Sequence, residues 1–380
     1  MKAILFTVVL LFIGNYSIAQ QDSTVLQNLA FTGDFRFRIE HDWNSIKSDG
    51  TYREDRSRLR YRFRFGVNYK YDKHSSFGAR VRSGNLNDQQ GPHVTLGGST
   101  GEFSLVSVGF EKLFYQFESK KWNFWIGKND IPLHKSNELF WNDNVFPEGI
   151  GIQFSTPFNE TNFIDHLAIN AAHFISNSNN EQFAGDSYFQ LIQTDLSLAN
   201  NKFRLYPALY RFKNMGNIPD ERATFNLDYT IFHMGINIAP SPILNTVLSL
   251  EWYHNLENYD SHNSINSIYK DQKTGYVVSL KYGDVKEKGN YLIHLYYAHL
   301  AKYAIVDYFA QNDWVRWDYS SFGATGSRIS NFEGVELQLG YAIDQKFNLI
   351  LRAYWVEELI SLSEFRENGN RIRLDMNIGF

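Results

Sequence analysis

Arg56-Ser-Arg-Leu-Arg-Tyr-Arg-Phe-Arg-Phe-Gly-Val-Asn-Tyr-Lys-Tyr71 alternates strictly. Arg58, Arg60, Arg62, Arg64 and Lys70 share one parity, and Leu59, Tyr61, Phe63, Phe65, Val67, Tyr69 and Tyr71 share the other. Successive side chains of a strand point to opposite faces, so one face is cationic and the other continuously apolar and aromatic. A soluble sheet also wets one face and buries the other, so alternation alone leaves the solvent open. The length of this strand and the charge on its polar face are both accounted for by a transmembrane barrel, with lipid outside and a water-filled lumen inside.

The two ends of the chain agree. Met1-Lys2 precedes an apolar stretch, Ala3 to Ile13, and Ser17-Ile18-Ala19 supplies small residues where a signal peptidase cuts. We expect residues 1–19 to be a signal peptide cleaved after Ala19, which leaves Gln20 first. The stretch is too short for a spanning helix. With no cysteine in the chain, neither a disulfide framework nor a lipidated Cys is expected. At the other end, Arg371 to Phe380 alternates again, with Ile372, Leu374, Met376, Ile378 and Phe380 on the apolar face.

The fold class that follows is all-β: a transmembrane antiparallel barrel of about sixteen strands (roughly 14–18), with short periplasmic turns and long extracellular loops. Alternation places strands near 31–40, 56–71, 75–84, 102–118, 122–128, 149–156, 165–175 and 186–198. The second half gives 202–213, 223–238, 245–256, 274–283, 289–303, 330–343, 346–358 and 369–380. Connections at 72–74, 119–121, 199–201, 284–288 and 344–345 are short, whereas 41–55, 85–101, 129–148, 257–273 and 304–329 are long. The organisation read from this is a periplasmic lead-in, 20–30, and one barrel domain, 31–380. Aromatics are abundant, with 23 Tyr and 31 Phe, and Tyr and Trp near strand ends are expected to form interfacial girdles. A net charge of −4 argues against general nucleic-acid binding.

Parity also assigns faces. Phe31, Gly33, Phe35, Phe37 and Ile39 point out, while Asp34, Arg36, Arg38 and Glu40 point in. Phe77, Ala79 and Val81 point out, while Arg80 and Arg82 point in. An arginine on the lipid face would cost about 2–4 kcal/mol at the bilayer midplane. In 289–303, Tyr291, Ile293, Leu295 and Tyr297 compete with Leu292, Tyr296, Ala298 and Leu300, and parity leaves the faces open.

Arg36, Arg38, Arg58, Arg60, Arg62, Arg64, Arg80 and Arg82 are thus expected to line the pore from three neighbouring strands about 4.8 Å apart. One reading is a track for anionic solutes, because guanidinium groups bind carboxylate, phosphate and sulfate in bidentate fashion and low-dielectric walls focus their field. The other is an ordinary polar wall whose arginines pair with Glu111, Glu118 or Glu336.

Loop 129–148 mixes Lys135, Glu138, Asp143 and Glu148 with Leu139, Phe140, Trp141 and Phe146. Such aromatics imply packing, either as a constriction folded into the lumen or as an external cap. Asn142, Asp143, Asn144 and Glu148 lack the full ligand spacing of a calcium loop. The glycine-rich 97–101 has nucleophile-elbow spacing without its strand and helix. His166, His173, His233, His254, His294 and His299 are scattered, without metal-ligand spacing.

Gly33-Asp-Phe-Arg-Phe-Arg38, Asp55-Arg-Ser-Arg-Leu-Arg-Tyr-Arg62 and Phe77-Gly-Ala-Arg-Val-Arg-Ser-Gly84 together resemble the opening of the Putative porin family of Gram-negative outer membranes. Gly127-Lys-Asn-Asp130 followed by Glu138-Leu-Phe-Trp-Asn-Asp-Asn-Val-Phe-Pro-Glu-Gly149 resembles its next landmark. The resemblance covers the first 150 residues; beyond them it rests on strand pattern and the terminal Phe380. It implies an outer-membrane diffusion channel, commonly a homotrimer. The C-terminal strand resembles the signal read by the barrel assembly machinery, and the composition is Bacteroidetes-like. The expected function is a porin passing small hydrophilic solutes, with an anion preference, embedded in outer-membrane lipids and without cofactor, metal or catalytic residues. The alternatives are export of an anionic polysaccharide, as in alginate-export-like barrels, a barrel enzyme such as an outer-membrane phospholipase with Ser and His on the lipid-facing rim, and a structural barrel.

Overall fold

The computed structural model describes residues 26–98, 103, 105–158, 163–178, 185–216, 225–240, 245–307, 309–310, 312–314 and 330–380. The expected signal peptide and the start of the lead-in lie outside the described residues.

The first half runs β1 (Leu29–Trp43), β2 (Arg56–Lys70), β3 (Ser75–Ser83), β4 (Val94–Thr95), β5 (Val108–Glu118), β6 (Trp122–Lys128), β7 (Glu148–Pro157), β8 (Ile164–Asn177) and β9 (Ser187–Leu198). The second runs β10 (Phe203–Leu205), β11 (Ala208–Gly216), β12 (Asn226–Ile238), β13 (Thr246–Asn255), β14 (Thr274–Gly283), β15 (Tyr291–Leu300), β16 (Phe332–Ala342), β17 (Phe347–Glu358) and β18 (Asn368–Gly379). Two of these are not separate staves. β4 is a two-residue piece that pairs only with Arg60 and Tyr61 of β2, beyond the end of β3. β10 and β11 occupy one position between β9 and β12 and are interrupted only at Tyr206-Pro207. What remains among the described residues is a closed antiparallel barrel of sixteen strands. Closure pairs β1 with β18, from Asp34 opposite Gly379 to Trp43 opposite Asn370. No backbone edge is left for lipid to solvate, as a spanning sheet requires.

The outer surface is apolar where parity placed it. Phe31, Ile39, Leu59, Phe63, Phe65 and Phe77 are exposed. The open case, β15, is settled by its partners. Leu292, His294, Tyr296, Ala298 and Leu300 are buried inside, and Tyr291, Ile293 and Leu295 are exposed outside. Trp252, Tyr276, Tyr297 and Trp355 form an outward row towards the end that carries the long loops, and Tyr282, Tyr291 and Tyr341 form one towards the short turns. Strand limits shift by a few residues. The largest difference is β5, which begins at Val108 rather than near 102.

Two features shape the interior. β6 has 7 residues against 15 in β1 and β2, so the chain leaves the wall early and turns inward at residue 129. Tyr206, at the break between β10 and β11, lays its ring over Gly235, where a Cβ would lie 1.9 Å from the ring.

Candidate pore and its lining

The lumen has a dry half and a charged half. Inward residues of β8 to β14, among them Phe174, Phe189, Tyr210, Phe212, Tyr229 and Tyr253, form a buried apolar cluster with Leu139, Phe140 and Trp141 of loop 129–147 and with Ala301, Tyr303 to Val306, Phe309 and Ala310. The loop is therefore inside the barrel and is not an external cap. Trp141 stacks on Phe189 at 5.2 Å and on Phe309 at 4.7 Å. Phe140 stacks on Tyr210 at 4.4 Å and on Tyr253 at 5.4 Å.

Polar clamps fix the loop in register. Glu251 of β13 accepts from Ser136 N at 3.0 Å, Asn137 Nδ2 at 2.5 Å and Tyr206 Oη at 2.9 Å. Gln193 and the His134 backbone exchange bonds of 2.8 and 2.9 Å. Phe146, at the far end of the loop, lies under the Arg80 guanidinium and the Lys112 ammonium, each 4.9 Å from its ring centre. The loop thus bridges the two halves of the lumen.

All eight arginines expected to line the pore lie on the inward side of β1 to β3. Barrel closure adds Arg371 and Arg373 of β18, and Arg352 of β17 beyond them. The register sets arginine directly opposite arginine at Arg36/Arg62, Arg38/Arg60, Arg64/Arg82 and Arg352/Arg373. Such pairs repel unless an anion lies close. Carboxylates supply part of it. Arg38 makes a two-point bridge to Asp375, 2.5 and 3.0 Å. Arg58 pairs with Glu40, Arg62 with Asp34, and Arg64 and Arg80 with Glu111 at 2.8 and 2.5 Å. Of the acids named from sequence, Glu111 and Glu336 do pair, the latter with Arg352 at 3.2 Å. Glu118 lies at the short-turn end of β5, away from the arginine rows.

The eight differ in what remains available. The Arg82 guanidinium donates to the carbonyls of Ser83, Asn85, Asp88 and Gly91, which braces the neighbouring loop and gives it little to offer a solute. The side chains of Arg36 and Arg60 keep 23% and 20% exposure, and the nearest carboxylate to each is 3.8 Å away. Between these rows sits His93, a half-buried imidazole held well below its usual pKa by desolvation and then by Arg38, Arg36, Arg62 and Arg60.

The loop acids separate. Glu138 and Asp143 line a cavity with about 230 Å³ of room for water, beside Lys135, Tyr296, Asp313, Trp314, Glu336, Gln338 and Arg352. The acids expected opposite the arginines therefore face Arg352 of β17, rather than the wall of β1 to β3. Lys135 pairs with Asp143 within the loop. Glu148 is corrected. It starts β7, faces outward and bridges Lys128 at 2.6 Å, so the register of the strand removes it from the constriction. The calcium arrangement is not assembled either, since Asn142 bonds Gln90 and Asn144 while Asp143 and Glu148 take lysines. Among the described residues no three His, Asp or Glu converge as a metal would require. Ser155 and His166 touch at 2.8 Å, but on the lumen side, whereas a barrel lipase needs them towards lipid. The glycine-rich 97–101 lies partly outside the described residues.

Sequence reading missed the second inward segment, whose chain was assigned to an external loop from residue 304. Residues 301–307, 309–310 and 312–314 run inside. Phe309 O accepts from Asn142 N at 2.8 Å, Ala310 O from Gln90 Nε2 at 2.7 Å, and Trp314 Nε1 donates to Glu336 at 3.1 Å. The available signal was Tyr303-Ala-Ile-Val306 with Tyr308-Phe309, more apolar than an exposed loop requires even with Lys302 and Asp307 among them.

Residues 48–231 match the family model described as Putative porin. The match extends past the 150 residues that carry the sequence resemblance, and it begins after β1. No curated protein matches the chain. Among solved structures, the chain is similar to Pseudomonas putida OprB in its high-pH form, at 11% identity and a TM-score of 0.55, over 93% of this chain and 94% of that one. A triple mutant of the Rhodopseudomonas blastica porin is similar at 10% identity and 0.52, over 93% and 100%. Salmonella typhi OmpF in complex with daunomycin is similar at 10% and 0.51, over 93% and 97%. At such identities the likeness is one of fold, and the fold is that of porins.

One pH response follows from the cavity. Burial, and then Asp143, push the Glu138 carboxyl above its usual pKa, against the pull of Arg352 and Lys135. A raised carboxyl takes up its proton early as pH falls. The cavity therefore loses a negative charge above the ordinary glutamate range. Anion permeability relative to cations should rise as pH falls through that window, and Glu138→Gln should hold the low-pH ratio at neutral pH. Reversal potentials measured across a pH series would show the step.

Proposed function

We propose that the protein is an outer-membrane porin for small hydrophilic solutes, with a preference for anions. The observation that carries this reading is the set of cross-strand arginine pairs, above all Arg36/Arg62 and Arg38/Arg60. Guanidinium groups set opposite one another cost stability, and a mobile anion relieves that cost while it passes. The outward apolar face, the aromatic rows and the match to the porin family support an outer-membrane setting, reached by way of a cleaved signal peptide and the barrel assembly machinery. A homotrimer is the working assembly that the resemblance to the porin family implies.

Export of an anionic polymer is the weaker reading. The wall is suitably charged, but two inward segments fill the dry half and leave a cavity of about 230 Å³ at mid-height, a size for small solutes. The lumen-side placement of Ser155 and His166 favours a channel over a barrel lipase.

The test is single-channel recording of the refolded full chain in planar bilayers under a salt gradient. Discrete steps with a reversal potential displaced towards the anion equilibrium value are expected. Cation preference would remove the anion claim and leave the porin. A folded barrel without conductance would remove both.

A further inference from the structure

Asp313 lies on the inward segment after β15, yet its carboxylate is seated in the wall. It pairs with Arg373, comes within 3.9 Å of Arg38, and its backbone carbonyl accepts from Arg371 Nη1 at 2.6 Å. Desolvation would raise its pKa, but Arg373, Arg38 and Arg371 outweigh burial and hold it far below the carboxylate range. The wall itself is short of acid at this point. Arg36, Arg38, Arg352, Arg371 and Arg373 converge, while the carboxylates fixed on the strands beside them are Asp375, Glu336, Asp42, which is shared with Arg56, and Glu40, which is shared with Arg58 and Arg60. One loop carboxylate is thus set into a hole of positive charge.

That carboxylate does not satisfy the hole. Arg373 is 2% exposed and Tyr354 is fully buried, yet among the described residues Arg373 Nε and Tyr354 Oη have no hydrogen-bond partner, nor does Arg352 Nε. A buried donor without an acceptor is unfavourable, so the site can use oxygens that one aspartate does not supply. It also opens on the side where they would arrive, because Asp313 and Trp314 line the same mid-height cavity as Arg352 and Gln338.

We propose that Arg38, Arg371, Arg373 and Arg352, with Tyr354, form a binding site for a solute carrying carboxylates, and that Asp313 is its built-in competitor. This rests on the porin reading and names the solute class. A solute bearing two carboxylates, such as succinate, places one where Asp313 sits and turns the other towards Arg352. Passage then begins by displacing the Asp313 side chain from the wall. The apparent affinity of the site is lowered by the fraction of time that Asp313 occupies it.

The experiment measures how succinate saturates the current through the refolded full chain, using Asp313→Asn, Asp313→Glu and Asp143→Asn. Asp143 lines the same cavity but pairs with Lys135 and not with an arginine, so Asp143→Asn removes equal charge without freeing any guanidinium of the site. The half-saturating succinate concentration should fall about tenfold in Asp313→Asn, a change of about 1.4 kcal/mol. It should stay near wild type in Asp313→Glu, which keeps a competing carboxylate, and shift far less in Asp143→Asn. Equal shifts in Asp313→Asn and Asp143→Asn, or none in either, would overturn the site and leave an anion-preferring porin in place. If wild type passes no ion and admits no neutral pentose into liposomes, the porin reading fails, and the site fails with it.

Discussion

Trp141→Ala should raise single-channel conductance severalfold and leave the barrel folded. Trp141 is 2% exposed, lies between Phe189 and Phe309, and donates from Nε1 to Val145 O at 3.0 Å. Truncating a buried tryptophan costs about 3–5 kcal/mol through lost contacts and an unfilled cavity. The loss falls on loop 129–147 and the segment that carries Phe309, not on the strand ladders, whose hydrogen bonds close the barrel independently of the lumen. Local opening is the expected response, because segments held by few contacts open at lower free energy than the framework around them. The gel shift of the folded barrel on heating should be kept, protease cleavage within 129–147 should appear, and current noise should increase. Loss of the folded band would mean that the dry half of the lumen is needed to close the barrel. Unchanged conductance would mean that the path avoids the loop.

The barrel was legible in the sequence because its two solvents impose opposite demands on alternate residues. Where one face is strictly apolar and the other charged, as in 56–71, a slip of one residue would put arginines into lipid, so parity and register are fixed together. Where both faces are apolar the signal vanishes. β15 could not be assigned because Leu292, Tyr296, Ala298 and Leu300 do face inward, into the apolar cluster that the inward segments complete. The same cause hid the segment after β15. An apolar lumen wall looks like a lipid-facing wall until its occupant is known. Arg371 and Arg373 were readable as inward residues of the last strand, but only barrel closure carries them beside Glu40 and Asp42 of β1. Glu148 was misplaced because the loop returns to the wall one residue earlier than its acidic character implies.

Arg36→Glu combined with Arg60→Glu should turn an anion-preferring pore into a cation-preferring one. These two are the informative arginines because their exposed side chains have no carboxylate closer than 3.8 Å, whereas Arg38 is already neutralised by Asp375 at 2.5 Å. Each reversal converts a like-charge cross-strand pair, Arg36/Arg62 or Arg38/Arg60, into an opposite-charge one while setting the new carboxylate near Asp375 or Glu40, so the two effects oppose and the barrel should stay folded. Together the two substitutions change the wall by four units of charge. A unit charge acts on an ion 4 Å away by about 1 kcal/mol in water and by about 4 kcal/mol at an effective dielectric of 20. A permeating ion passes farther off and is partly screened, which leaves an expected net effect of about 1.4–2.8 kcal/mol, or roughly ten- to a hundredfold in the permeability ratio. The effect should shrink as the salt is raised towards 1 M, where the screening length falls to about 3 Å. A reversal potential that stays on the anion side at low salt would place the selecting charges elsewhere, at Arg352 and the cavity beside it. A change of sign that fades with salt would locate them on the β1–β2 wall.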